Sequence, residues 1–219
     1  MGIDLSKLKA KITANLRRIT GEFSLSDKQK QLLRAIVSSD EQKQMEAAIE
    51  IGKEPDLQLL CMLHFYMQED FLDDFMMRVA GKEFRYEFAQ KKMIKFYSLV
   101  AVSNMLSHGL FFETVVGAIR SKGESVEERC DIIYMMGEVF NAFGKDIHSR
   151  EASFTSEKIG GLFVQSLLSI LQDASEPAEV KVASAIALKK TVENPSIRTC
   201  LPKNLALEVF ENLKQYSDI

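Results

Sequence analysis

Cys61 and His64 stand one helical turn apart in "CMLH" and could offer two ligands to a zinc ion. A structural zinc site needs four ligands, and no second Cys or His pair lies at a useful spacing, so a buried thiol beside a hydrogen-bonded imidazole is the better reading. "QEDFLDDF" (68–75) places Glu69, Asp70, Asp73 and Asp74 within one and a half turns, where carboxylates at i and i+4 could share a divalent cation. It lacks the glycine of a calcium loop and reads as a solvated acidic face. No nucleophile elbow or phosphate-binding glycine pattern occurs. The chain is therefore expected to be no enzyme, with no cofactor and no metal.

Two charged stripes carry more information. Over the helix expected at 83–106, Arg85, Lys91, Lys92 and Lys95 fall within a 120° sector around Phe88. Over 126–144, Glu127, Asp131, Tyr134, Glu138 and Asn141 recur at i, i+4, i+7, i+11 and i+14. Charged helix faces are usually solvated, and these two could satisfy each other. The alternative is an exposed groove in which Tyr134 among carboxylates anchors a basic or amphipathic segment. The candidate partner-binding residues are Glu127, Asp131, Tyr134, Glu138, Asn141, Arg85, Lys92 and Lys95.

The elements that must position them follow from composition. The 219 residues are 46% apolar, with 11 Gly and 4 Pro and no Trp, which leaves little turn chemistry for a β-sandwich and predicts an all-α fold in a single domain, 1–219. Start signals and periodicity place about ten helices, at 5–19, 26–38, 40–53, 56–79, 83–106, 110–121, 126–144, 156–173, 178–193 and 203–216. Ser26 with Gln29, Ser39 with Gln42 and Ser125 with Glu128 have capping-box spacing. The helix at 178–193, "AEVKVASAIALKKTVE", is apolar nearly all round, so it must be covered from several directions.

Three stretches superpose: "KQMEAAIEIGKE" (43–54), "ERCDIIYMMGEV" (128–139) and "VKVASAIALKKT" (180–191). Their alignment puts Gly52, Gly137 and Lys189 in register, and each follows a shorter helix. The order valine, basic residue, small residues, leucine, clearest in "VKVASAIAL" from Val180, resembles the HEAT repeat of the armadillo-like superfamily. Lys43 and Gln44 stand in the first copy where that pattern has valine and arginine. The resemblance implies a right-handed α-solenoid of antiparallel helix pairs, and with it a scaffold or adaptor that binds a protein or peptide along its second helices. Some proteins with such repeats resemble DNA glycosylases, which makes a nucleic-acid binder the alternative. A net charge of −3 and a pI near 5.8 weigh against it.

The charge is uneven: +5 over residues 1–34, −7 over 35–90, +3 over 91–120 and −4 over 121–219. The basic N-terminal segment, 1–22, reads as an amphipathic helix packing Leu5, Leu8, Ile12 and Ile19 on the array. "MGIDLSK" also fits the N-myristoylation pattern, and Lys7, Lys9, Lys11, Arg17 and Arg18 would attract anionic lipid, so a peripheral membrane adaptor is a further alternative. Three widely spaced cysteines make no disulfide framework, and no stretch is long and apolar enough for a membrane span, which points to a reducing, cytoplasmic location.

Overall fold

In the computed structural model the described residues are 7, 8, 10–12, 14, 15, 24–68, 88–146 and 150–216. Among them all regular structure is helical, so the fold is all-α. The helices are α1 (Asp27–Ile36), α2 (Glu41–Lys53), α3 (Leu57–Tyr66), α4 (Phe88–Ser107), α5 (Gly109–Arg120), α6 (Val126–Asp146), α7 (Arg150–Gln172), α8 (Ala178–Glu193), α9 (Pro195–Cys200) and α10 (Lys203–Lys214). Residues 7, 8, 10–12, 14 and 15 are helical as well. The chain separates into two compact units, residues 23–111 and residues 112–219 together with 1–22.

Local chemistry explains most boundaries. Ser26 caps α1 with the full reciprocal box to Gln29, and Ser125 opens α6 through Glu128 in the same way. The expected cap at Ser39 is corrected to Asp40, whose carboxylate accepts the Lys43 amide at 3.1 Å. Asp40 is the residue next to the first turn, and aspartate is as strong a cap as serine. Helix α9 lies between the expected helices 178–193 and 203–216, where none is expected. Asn194 caps that helix and Pro195 occupies its first position, where the missing N–H costs nothing.

Each unit is built around two long helices running in the same direction. In the 23–111 unit the Tyr97 hydroxyl donates to Glu41 and Asn104 donates to the Ala48 carbonyl, so residue numbers rise together along α2 and α4. In the 112–219 unit Lys190 meets Tyr134 and Glu138, Asn141 meets Glu193, and Asn194 donates to the Phe140 carbonyl, so α6 and α8 are parallel too. Helix α7 packs on both α6 and α8.

Helix α8 occupies the expected 178–193. Val180, every residue from Val182 to Leu188, and Thr191 are buried, leaving Ala178, Glu179, Lys189 and Glu193 exposed and Lys181, Lys190 and Val192 half-buried. Its alanines permit this enclosure because each adds little volume where helices meet.

The aligned residues make matching contacts. A Cβ on Gly52 would stand 2.4 Å from the Asn104 Cβ, and one on Gly137 would stand 2.7 Å from the Ala187 Cα, so both glycines permit the close approach of the parallel neighbour. Lys189, third in the register, is exposed, and no neighbour demands a glycine there. Gln44 donates to the Ile36 carbonyl at 2.8 Å, and its counterpart Arg129 donates to the Ile119 carbonyl at 2.8 Å, each satisfying a carbonyl in the last turn of the preceding helix.

Candidate interaction surface

The stripe on α6 is a contact row more than an open face. Glu127 is exposed and pairs with Lys11 at 2.5 Å. Tyr134 is half-buried, its ring lies under the Lys190 ammonium at 4.5 Å, and its hydroxyl accepts from Lys190 at 3.3 Å. Burial pushes the Tyr134 phenol up, with Glu138 adding to the shift. Glu138 is ion-paired to Lys190. Asp131 and Asn141 are only 3% and 8% exposed, which corrects the expectation of an exposed row at those two positions. At Asn141 the cause is α8, whose Glu193 accepts from the Asn141 amide at 3.1 Å. Asp131→Lys would accordingly bury an ammonium.

The second stripe starts outside the described residues, where Arg85 lies. The same holds for Gly2, Ser6 and the acidic cluster Glu69, Asp70, Asp73 and Asp74. Lys92 is exposed and Lys95 half-buried on α4. Cys61 and His64 are buried, with Gln68 Nε2 standing 3.1 Å from His64 Nε2. Burial pushes the Cys130 thiol up to about 12, with Asp131 and Glu179 contributing, so it is protonated and unreactive at neutral pH.

Of the eight large apolar side chains exposed among the described residues, three cluster at the α2–α4 joint. Met45 (48% exposed) and Ile49 (50%) lie one turn apart on α2, flanking Ala48, whose carbonyl receives Asn104. Phe96 (38%) adjoins Tyr97, whose hydroxyl reaches Glu41, one turn before Met45. They therefore line the solvent side of the α2–α4 joint, with Met93 and Val100 half-buried one turn to either side of Phe96. Exposed Gln42, Glu46 and Lys92 edge this apolar strip, with Gln42 donating to Glu46 at 3.0 Å. The signal in the sequence was the surplus of apolar positions on α2: Ala47, Ala48 and Ile51 already supply its buried side, and Met45 and Ile49 lie beyond it.

The 112–219 unit is held by charge that the sequence reading also missed. Arg129 and Glu176 form a buried ion pair, Nη2 donating to Oε1 at 2.9 Å and Nη1 standing 2.8 Å from Oε2, with side chains 2% and 4% exposed. Together with the Arg129 bond to Ile119 this pair staples α5, α6 and the loop before α8. Residues 47 apart in sequence give no local pattern that would announce it. Among the described residues no three His, Cys, Asp or Glu side chains converge as a metal site would require, and no single helix is long and apolar enough to cross a membrane.

Compared with protein-family models, curated proteins and solved structures, the chain gives no significant match.

Proposed function

We propose that this protein is a non-enzymatic helical-repeat scaffold or adaptor, of the HEAT/armadillo-like kind, that binds a protein or peptide partner along the open side of its second helices. The observation that carries the reading is the apolar strip of Met45, Ile49 and Phe96 along the joint of two parallel helices. An amphipathic helix lays apolar anchors at i, i+3 and i+4 into such a groove, and polar edges fix its orientation. The repeat reading draws support from the paired glycines, Gly52 and Gly137, and from the paired donors, Gln44 and Arg129, which do the same work in each unit.

The test is site-specific photo-crosslinking from position 49 in the full chain, with the surface position Lys30 as control. The expected outcome is one polypeptide crosslinked from position 49 and absent from the control. Its crosslinking is lost in Met45→Asp with the crosslinker retained at 49. Because Met45 is half in solvent, this change is expected to alter stability within about 0.5 kcal/mol. Equal labelling from both positions, or labelling indifferent to Met45→Asp in a protein that still melts cooperatively, would refute the reading.

A further inference from the structure

Helix α10 carries apolar side chains on two sides. Leu205 and Val209 are buried on the side that packs against α7 and α8, and Glu208, on the flank, accepts from the Gln172 amide of α7. Leu207 and Phe210 are 59% and 60% exposed and stand one turn apart on the opposite side. A lone exposed leucine is ordinary on a folded surface. Two large apolar groups together, on a helix whose other side is already buried, call for a second cover.

The charges beside them say what cover fits. Exposed Lys203 lies one turn before Leu207 and exposed Glu211 one turn after it, each within about 40° of the leucine around the helix. The Lys214 ammonium lies over the Phe210 ring at 4.7 Å. Positions 203 and 211 are equidistant from 207. A second copy running antiparallel, with Leu207 at the two-fold axis, therefore sets Lys203 level with Glu211 of the second copy, and Glu211 level with its Lys203. A parallel pair would set like charge beside like, and an axis midway between Leu207 and Phe210 would set Lys203 level with Lys214. Of these arrangements only the antiparallel one about Leu207 matches apolar to apolar and charge to opposite charge at once.

We propose that the outer face of α10 is a self-docking surface, through which two copies of this chain pair antiparallel about Leu207, with Phe210 beside the seam and reciprocal pairing of Lys203 with Glu211 at its two ends. A contact confined to one 12-residue helix per copy is smaller than the roughly 800 Å² per partner of a standard interface, so the dimer forms and dissolves with concentration. The dimer carries two α2–α4 strips, and a partner with two matching segments is then held by both.

The experiment is sedimentation velocity of the full chain over a range of concentrations. The mean mass is expected to climb from 24.8 kDa toward twice that value, and Leu207→Asp with Phe210→Ser to hold it at the monomer. Lys203→Glu turns both reciprocal pairs into like-charge pairs and is expected to raise the dissociation constant by about tenfold. Adding Glu211→Lys should bring it back to within about twofold of the wild type. If the apolar variant lowers the melting temperature markedly, the charge variants, at exposed positions, decide the matter. A wild-type mass that stays at 24.8 kDa up to about 1 mM would overturn the proposal. So would a dimer that ignores Lys203→Glu, or one that the reversed pair fails to restore. The crosslinking test at position 49 probes another helix, so the two ideas fail separately.

Discussion

The joint of α2 with α4 and that of α6 with α8 use one backbone device and finish it with different side chains. In both, a glycine at the same register position lets parallel helices approach closely, and a side chain at Gln44 or Arg129 donates back to an isoleucine carbonyl. In the 23–111 unit the donor is a neutral amide and the open side of the joint is apolar. In the 112–219 unit the donor is a guanidinium that needs Glu176, and the open side is closed by Lys190 with Tyr134 and Glu138. The close approach sets the backbone geometry and leaves the surface chemistry of each joint independent of it. One joint can therefore be internally saturated while the other presents an unused apolar strip.

The largest expected effect separates the two donors. Arg129→Met leaves the Glu176 carboxylate buried without its partner and should cost about 3–5 kcal/mol in a denaturant melt, whereas Arg129→Met with Glu176→Leu should recover most of that loss. Gln44→Leu removes a neutral donor and should cost roughly 1–3 kcal/mol. Equal losses for the two single changes would erase the distinction between a charged and a neutral joint.

Next come the glycines. Replacing an open helical glycine by alanine gains up to about 1 kcal/mol, and Gly161→Ala, where a Cβ meets nothing within 4 Å, should show that gain. At Gly137 and Gly52 the new methyl would fall within 3 Å of Ala187 and of Asn104, and overpacking of this kind should reverse the sign to a loss of about 1–3 kcal/mol in each unit. A stabilising Gly52→Ala would break the analogy between the joints.

The smallest effect concerns acid. Lys122 at 2.8 Å, with the Ser175 hydroxyl and amide, holds the Asp173 carboxyl well below its ordinary value of 3.8, and the Lys43 amide and ammonium lower Asp40 in the other unit. A depressed folded-state value stabilises the fold fully above the unfolded value and loses that contribution as pH falls through the folded one. The difference in melting temperature between wild type and Asp173→Asn, present at neutral pH, should therefore shrink on acidification, and Asp40→Asn should behave alike. Both sites are solvent-exposed, so the shifts should be small. A difference that grows in acid would contradict the assignment.

Much of this was legible in one dimension because its causes are local. Pro177 and Pro195 bracket α8, which spans the expected 178–193 to the residue, and the alignment that paired Gly52 with Gly137 found positions that share a contact. The capping box at Ser26 and the all-round apolar surface of α8 each followed from neighbours within a few residues. The same reasoning took Glu127, Asp131, Tyr134, Glu138 and Asn141 as one exposed row, because a helical wheel gives spacing and cannot say what stands opposite.

The sequence by itself determined the helical class, most helix ends and the glycine register, since backbone hydrogen bonding and periodicity are set within a turn or two. Only the tertiary structure decided which faces meet water. Asn141 is buried where α8 brings Glu193 to it, Arg129 is charged in the interior because Glu176 arrives from 47 residues away, and Met45 and Ile49 stand half in solvent. Burial depends on where a second helix runs, and no local pattern encodes that path.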